Sequence, residues 1–437
     1  MACKDVISSK GLAAAAAVVQ VLPEASEALE QQVERLRADV GAATDDVHLW
    51  RRVRREFSLN PGVVHFNCGS IGATPRMVVD AMCNYMRRCE SDPYDEVFGK
   101  GLAQGQAAVQ EQAAEFLGAA ADEMVLTRNT TEGMNLVATG LHLKPGDEVL
   151  TTNHEHGGGM ACWQYLAKHQ GVKMRYLEMP NPVTDKAQIL ERVAGLINAR
   201  TRVCSFSHID TITGLQMPLA DIAAITRPKE IVLVCDGAQG PGMLDVDVKA
   251  LGVDTYASSS HKWMLAPKGS GLLYIRKEVQ DRVQPIMLYS GYAVYSGSGG
   301  TRNVPQILGH GMAMGFHNAI GRTKVEARCR ALSRLVRARL REIPALSLIT
   351  PEQEALSSGM VTFALDPAKG TNAEVFNHFK DAYNIILKPA QGTYAYVPED
   401  HVPGPRPSYN AIRVSTHIFN SEDEVERMAE LLGKMLA

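Results

Sequence analysis

The chain has 437 residues, of which 45% are hydrophobic and 21% are charged, and its formal net charge is -3. A chain of this length is longer than a single hydrophobic core usually supports, so a large and a small domain are predicted. The composition is ordinary for a globular protein. The small net charge gives no basic excess for binding nucleic acid, and no stretch approaches the roughly 20 apolar residues that span a bilayer.

The chain is predicted to be cytoplasmic. The apolar run 11–22 loosely resembles a secretion signal, but Asp5 ahead of it counts against export, so residues 1–60 are interpreted as an N-terminal helical arm. Residues 26–40 have helical periodicity within this arm. The 8 cysteines include no C-x-x-C pair, which favours free thiols in a reducing compartment and no metal site.

The segment 61–304 is predicted to form the large domain. Between residues 120 and 275, short apolar runs alternate with helical patterns, which is typical of a mostly parallel sheet of seven strands covered by helices on both faces. The predicted strands are 124–127, 148–152, 173–177, 202–207, 231–235, 255–258 and 271–275. The predicted helices between them are 131–141, 158–170, 185–198 and 218–227.

The segment 305–437 is predicted to form a smaller α/β domain. It begins with one long helical stretch over 305–343. Predicted strands follow at 360–365, 385–388 and 411–415, with helices at 371–382 and 421–436. The chain is therefore assigned to the α/β class, with a large sheet domain and a small C-terminal one.

Two segments at strand ends indicate a pyridoxal 5'-phosphate site. Lys262 lies in Ser259-Ser260-His261-Lys262-Trp263, where burial and a neighbouring cation would lower the amine pKa enough for condensation with an aldehyde. Asp236 ends an apolar run, where a buried carboxylate needs a cation such as a pyridinium N–H. The alternatives are a surface lysine and a helix N-cap. Gln239 lies three residues after Asp236 and is a candidate donor to the cofactor's phenolic oxygen.

Hydroxyl groups at a predicted helix N-terminus suggest where the phosphate would bind. Thr130 and Thr131 open a helix, whose N-terminus attracts anions, although ordinary capping explains them equally well. Ser259 and His261 would complete the phosphate site, and the loop 299–303, with Thr301, is a second candidate.

Two further residues are candidates for contact with the cofactor ring and the substrate. His156, after the strand 148–152, could stack on the pyridine ring. Arg413 is a lone charge in an apolar strand and could bind a carboxylate with both guanidinium arms; a structural ion pair is the alternative.

In this order, the motifs resemble the class V aminotransferase family of fold-type I pyridoxal-phosphate enzymes over about residues 60–435. The motifs are Thr-Thr-Glu-Gly, His-Glu-His, Asp-Gly-Ala-Gln, Ser-x-His-Lys, Gly-Gly-Thr and Arg-Val-Ser. Within the family, residues 66–72 and 412–420 are most similar to the isopenicillin N epimerase-like branch, whereas His156 is more typical of desulfurases and carbon–sulfur lyases.

The resemblance implies roles for individual residues. It implies Lys262, Asp236 and His156 as catalytic residues, and Gln239, Thr130, Thr131, Ser259 and His261 as further cofactor contacts. It implies that Thr301 reaches the phosphate of a neighbouring subunit, so that the enzyme is a homodimer. It implies a substrate site formed by Asn67, Asp210, Thr211 and Arg413.

The resemblance implies chemistry on an amino acid or amino-acid conjugate through an external aldimine and a Cα carbanion. The segment 391–409 contains no cysteine, which disfavours the persulfide chemistry of desulfurases. With His156, this favours β-elimination of the carbon–sulfur lyase type. Epimerisation at Cα, transamination and an inactive scaffold of the same fold are the alternatives.

Overall fold

The computed structural model describes residues 23–43, 45–99, 104–284, 301–390 and 409–437. The helices are α1 (Pro23–Ala42), α2 (Asp46–Arg54), α3 (Arg76–Ser91), α4 (Gln106–Leu117), α5 (Thr130–Gly140), α6 (Gly157–Gln170), α7 (Ala187–Leu196), α8 (Leu219–Thr226), α9 (Val248–Leu251), α10 (Val304–Ile320), α11 (Arg322–Leu340), α12 (Asn372–Tyr383) and α13 (Glu422–Leu436). A π-helical turn covers Asp95–Gly99, and 3₁₀ turns cover Ala121–Glu123, Arg227–Lys229, Lys277–Val279 and Glu354–Leu356.

Seven strands form the large sheet. They are β2 (Met124–Thr127), β3 (Glu148–Thr152), β4 (Lys173–Leu177), β5 (Thr201–Ser207), β6 (Val232–Asp236), β7 (Thr255–Ser259) and β8 (Gly271–Ile275). Their order is β2-β8-β7-β6-β5-β3-β4, and β8 is antiparallel to both neighbours while the other pairs are parallel. The predicted mostly parallel sheet is confirmed.

Both faces of this sheet are buried, as the continuous apolar runs require. Along β6, Leu233 and Cys235 belong to one hydrophobic cluster, and Val232 and Val234 belong to the cluster on the other face. Asp236 is the last residue of β6 and therefore lies at the carboxyl end of the sheet, where open α/β sheets bind their ligands.

The small sheet contains β9 (Leu346–Leu348), β10 (Met360–Leu365), β12 (Lys388–Pro389) and β13 (Ala411–Ser415) in the antiparallel order β12-β13-β10-β9. Its core includes Phe363 of β10, Val336 of α11, Phe379 of α12 and Leu432 of α13. A separate two-stranded parallel sheet pairs β1 (Val64–His65) with β11 (Ile385–Ile386). The predicted smaller α/β unit is thereby confirmed, whereas the domain boundaries at residues 60 and 304 stay a prediction.

The structure corrects two of the predicted elements. The stretch 305–343 is two helices, because Gly321 between them has φ of +100°, a conformation that interrupts an α-helix. The run 385–388 is divided between β11 and β12, which belong to different sheets. Helices α3 and α4 were not predicted. Within the described ranges, no helix combines the length and the apolar character that a bilayer crossing requires.

Candidate active site

A cavity of about 390 Å³ lies where the carboxyl ends of β6 and β7 meet the small sheet. Ten residues singled out from the sequence line it: Thr130, Thr131, His156, Thr211, Asp236, Gln239, Ser259, His261, Lys262 and Arg413. Six lining residues were not among the predicted site residues: Gly69, Ser70, Asn129, Gly159, Ala238 and Lys388. The topology thus brings together residues that are far apart in the sequence.

Lys262 follows β7 in a loop held by an earlier segment of the chain. The backbone N–H of Gly72 donates to the His261 carbonyl at 2.9 Å, and the thiol of Cys68 donates to the Lys262 carbonyl at 3.6 Å. A Cβ on Gly72 would lie 2.0 Å from the Lys262 carbonyl oxygen, so this approach requires glycine. The backbone that carries the lysine is therefore fixed.

The environment of Lys262 increases the share of neutral amine relative to an exposed lysine. Burial lowers the pKa of Lys262 to about 8; the Asp236 carboxylate opposes this change, and the Arg413 guanidinium adds to it. A neutral amine is the form that condenses with an aldehyde or accepts a proton.

Asp236 is buried at the end of β6, and burial raises the pKa of its carboxyl group. The N–H of Ala238 donates to its Oδ1 at 3.0 Å and partly opposes this rise. Its Oδ2 faces Gly159, on which a Cβ would lie only 2.4 Å away. The cavity beside this carboxylate therefore depends on a glycine, and a cation there would restore the ionised form.

A second wall of the cavity is formed by the N-terminus of α5. The hydroxyl of Ser259 accepts the backbone N–H of Thr130 at 2.9 Å and contacts the Thr130 hydroxyl at 2.8 Å. His261 lines the same part of the cavity. Hydroxyls, an imidazole and a helix N-terminus form an arrangement suited to an anion.

His156 caps α6, and its ring lines the cavity. Its Nδ1 accepts the backbone N–H of Gly158 at 3.0 Å, which leaves the proton of the neutral ring on Nε2. Burial, followed by the charges of Lys262 and Arg413, lowers the pKa of His156 to about 4. The ring is therefore neutral at pH 7.

Arg413, on β13, is 3% exposed, and the large domain holds its guanidinium in place. Nη1 donates to the carbonyl and hydroxyl of Thr211 at 2.9 and 2.7 Å. Nη2 donates to Asn67 Oδ1 at 3.3 Å and to the Ser70 hydroxyl at 3.2 Å. Asn67 thus contacts Arg413 and is not itself a lining residue.

Gln239 lines the cavity, and its amide is already bonded. Its Nε2 donates to the Gly69 carbonyl at 2.9 Å and to the Thr211 hydroxyl at 3.3 Å, while its Oε1 accepts the indole N–H of Trp263 at 2.6 Å. The suggested bond from Gln239 to a phenolic oxygen requires that one of these N–H bonds be given up.

Asp210 is buried behind the cavity wall and does not line it. His154 Nδ1–H donates to Asp210 Oδ2 at 2.6 Å, and Asp210 also accepts the Thr213 hydroxyl at 2.6 Å. Burial disfavours both charges, but each partner more than offsets this effect: the pKa of His154 is raised and that of Asp210 is lowered. The ion pair holds the turn that presents Thr211 to Arg413.

This turn is also where the small domain docks. The Thr362 hydroxyl donates to the Ile212 carbonyl at 2.6 Å, and the Thr350 hydroxyl donates to the Thr213 carbonyl at 2.6 Å. A hydrogen bond of 3.3 Å joins the Tyr409 hydroxyl to Nε2 of His154. The two sheets are thus joined at the turn that holds Arg413 in place.

Thr301 is exposed and does not line the cavity of its own chain. Gly299 and Gly300, and most of the loop 391–409, lie outside the described residues. Lys388 is the main residue that the sequence analysis missed. The available signal was a lone cation directly after an apolar run, which is similar to the lone charge of Arg413 within one.

Among the described residues, no cluster of His, Cys, Asp or Glu could hold a metal ion.

The family profile described as aminotransferase class-V matches residues 70–428. The chain is 32% identical to an isopenicillin N epimerase of Amycolatopsis lactamdurans over 409 residues, which cover 88% of this chain and 98% of that relative. It is 28% identical to a probable cysteine desulfurase of Pyrococcus abyssi over 403 residues, which cover 88% and 97%.

Two solved structures have the same fold. A C-DES mutant with glycine covalently linked to its PLP cofactor has a TM-score of 0.75 at 23% identity, covering 87% of this chain and 98% of that chain. The cystine C–S lyase C-DES, in complex with its product cysteine persulfide, has a TM-score of 0.73 at 24% identity, covering 84% and 97%.

Proposed function

The chain belongs to the class V aminotransferase family and is a pyridoxal 5'-phosphate-dependent enzyme, and we propose that it cleaves a carbon–sulfur bond of a cysteine conjugate by β-elimination. One observation carries the proposal. A lysine of lowered pKa, a buried carboxylate and a fixed arginine line the same cavity, which has no cysteine among its described lining residues.

The residues present fit the cofactor. Asp236 would pair with the protonated ring nitrogen, which would stabilise a carboxylate that burial alone disfavours. The N-terminus of α5, Ser259 and His261 would hold the phosphate. The neutral ring of His156 would stack on the pyridine. When bound, the cofactor supplies an electron-withdrawing ring that stabilises negative charge at Cα of an amino acid.

The side chains of this chain would then position and deprotonate the substrate. Arg413 would bind the α-carboxylate, and its bonds to Thr211 and Ser70 limit its movement, which would fix the direction of the Cα–H bond. Lys262, as a neutral amine, would remove that proton. The resulting charge at Cα would expel a thiolate from Cβ. The buried Trp263 next to Lys262 would exclude water.

A desulfurase mechanism with a persulfide cysteine is less well supported. Cys68 is the thiol next to the lysine loop, but it is buried, and burial raises its pKa well above the ordinary value. The thiol is therefore not activated as a nucleophile. In elimination, by contrast, the sulfur leaves with its own carbon fragment and needs no protein thiol.

Epimerisation at Cα is the second candidate, because the isopenicillin N epimerase of A. lactamdurans is 32% identical. It requires an acid that delivers a proton to the face opposite Lys262. His156 is poorly suited to this role: at a pKa of about 4 it is neutral, and its Nδ1 already accepts the Gly158 N–H. This favours elimination over epimerisation.

The enzyme is also proposed to be a cytoplasmic homodimer. The exposure of Thr301, away from the cavity of its own chain, is consistent with a role in the site of a second copy. The described cysteines are free thiols, which fits a reducing compartment.

Incubation of the holoenzyme with S-alkylcysteines tests the reaction. Elimination releases a thiol, pyruvate and ammonia in equal amounts, whereas inverted amino acid without thiol release would establish epimerisation instead. Borohydride reduction and peptide mapping test the lysine. The label is expected on Lys262, and the Lys262→Ala variant is expected to lose label and turnover.

Lys268→Ala is the matched control. Lys268 is exposed and donates to the Gly72 carbonyl and the Thr74 hydroxyl, each at 2.9 Å, outside the cavity lining. This variant is expected to keep the label, and label on Lys268 in the native enzyme would contradict the assignment.

A further inference from the structure

Lys388 places a second small-domain cation beside Arg413. In the antiparallel pair of β12 and β13, Lys388 lies directly opposite Arg413. Cross-strand partners project from the same face of a sheet, with Cβ atoms about 4.5–5.5 Å apart. Both residues line the cavity, so this face of the small sheet presents two positive charges to one ligand.

Basic side chains outnumber acidic ones in the cavity lining. Among the described lining residues, Asp236 is the only carboxylate, whereas three side chains are basic: Lys262, Lys388 and Arg413. Under the proposed function, Asp236 pairs with the ring nitrogen, the N-terminus of α5 holds the phosphate, and Arg413 binds the α-carboxylate. An amino acid with an uncharged side chain therefore has no second carboxylate to place beside Lys388.

The charge of Lys388 acts inside the site. After burial, the charges of Lys262, Arg413 and Lys388 lower the pKa of His156, whose ring lines the same cavity. Lys388 is also half-buried at the junction between the two sheets. Its charge therefore lies close enough to the cavity to act on a ligand bound there.

We propose that Lys388 selects ligands whose side chain carries a carboxylate, so that the enzyme binds acidic amino acids and cleaves acidic cysteine conjugates in preference to neutral ones. This inference rests on the proposed function for the placement of the α-carboxylate on Arg413. The flexible stem of Lys388 would let its ammonium reach a side-chain carboxylate while the more rigid guanidinium keeps the α-carboxylate.

Binding tests the inference without requiring turnover. Glutamate and norvaline have the same side-chain carbon skeleton from Cβ to Cδ, but Cδ is a carboxylate carbon in glutamate and a methyl group in norvaline. Their Kd values for the holoenzyme follow from changes in cofactor absorbance. We expect glutamate to bind at least about tenfold more tightly, the effect of one charged hydrogen bond. Lys388→Met is expected to abolish this preference.

Lys173→Met is the matched control, because Lys173 is an exposed lysine on β4 outside the cavity lining. It is expected to keep the preference for glutamate. Equal Kd values for the two ligands in the native enzyme would overturn the inference. Equal weakening of both ligands by Lys388→Met would also overturn it, since Lys388 would then share the α-carboxylate with Arg413.

Turnover separates this inference from the proposed function. The native enzyme is expected to eliminate S-(2-carboxyethyl)cysteine with a higher kcat/KM than S-propylcysteine, and Lys388→Met is expected to reduce the ratio. Equal elimination of both conjugates contradicts the inference and leaves β-elimination intact. Failure to eliminate either contradicts β-elimination, and the Kd comparison then still decides the role of Lys388.

Discussion

Replacing the charged neighbours of Lys262 is expected to move its pKa in opposite directions. The Arg413 guanidinium lowers the pKa of Lys262, so Arg413→Gln should raise it. The Asp236 carboxylate raises the pKa of Lys262, so Asp236→Asn should lower it further. Burial, the largest cause of the native shift, is unchanged in both variants.

The size of the effect follows from the fraction of neutral amine. With a pKa of about 8, roughly 9% of Lys262 is neutral at pH 7. At the ordinary value of 10.5 the fraction is about 0.03%, so the site provides a roughly 300-fold gain in reactive amine. Each further unit of pKa change alters this fraction about tenfold at pH values well below the pKa.

The rate at which the apoenzyme takes up pyridoxal 5'-phosphate reports this fraction. Stopped-flow absorbance between pH 6 and 10 should give a loading rate that rises with pH, with a midpoint near pH 8 and a plateau above about pH 9 in the native protein. The midpoint should move to higher pH in Arg413→Gln and to lower pH in Asp236→Asn. Because no amino-acid substrate is present, the loss of the carboxylate contact in Arg413→Gln does not affect the assay.

Lys268→Ala again serves as the control, with an unchanged midpoint. A native midpoint near 10.5 would refute the argument that burial and Arg413 activate the lysine. A shift in the same direction for both variants would refute the assignment of their opposite charge effects.

Two other substitutions test the cavity and its support. Gly159→Ala would push a methyl group against Asp236 and is expected to weaken cofactor affinity by about tenfold or more. The control Gly195→Ala has no atom within 4 Å of its added Cβ and should leave cofactor affinity unchanged. Equal cofactor affinities for the two variants would contradict the role of Gly159. His154→Leu leaves the Asp210 charge buried and should cost about 3–5 kcal/mol in urea unfolding. Because the pKa of His154 is raised and that of Asp210 is lowered, the loss of unfolding free energy should be largest between about pH 4 and 6.5. This loss should shrink as the pH rises through the native pKa of His154. A loss that does not change with pH would show that the pair is not ionised.

The sheet and most of the lining could be predicted from the sequence, because each relevant residue follows a short apolar run. Asp236 ends such a run and Lys262 follows another, and parallel strands bring their carboxyl ends to one edge. Gln239 was suggested by its position three residues after Asp236, and the resemblance then added Thr211, which no local pattern distinguishes.

Long-range contacts could not be predicted. Asp210 was expected near the substrate, but its pairing with His154 depends on how two loops 56 residues apart meet. Lys388 and Arg413 lie opposite each other because of the register between β12 and β13. Since β12 has only two residues, its sequence is too short to predict that register. Helix α3 was missed although Val78, Ala81 and Tyr85 recur on one buried face.

The division of the cavity between two sheets has a consequence for biosynthesis. The ribosome makes Lys262 and the strands of the large sheet well before Lys388 and Arg413 emerge, and N-terminal units fold first during translation. The half of the site that would hold the cofactor is therefore made before the half that would bind the amino acid. A nascent chain is expected to become able to react only when the last-made strands dock.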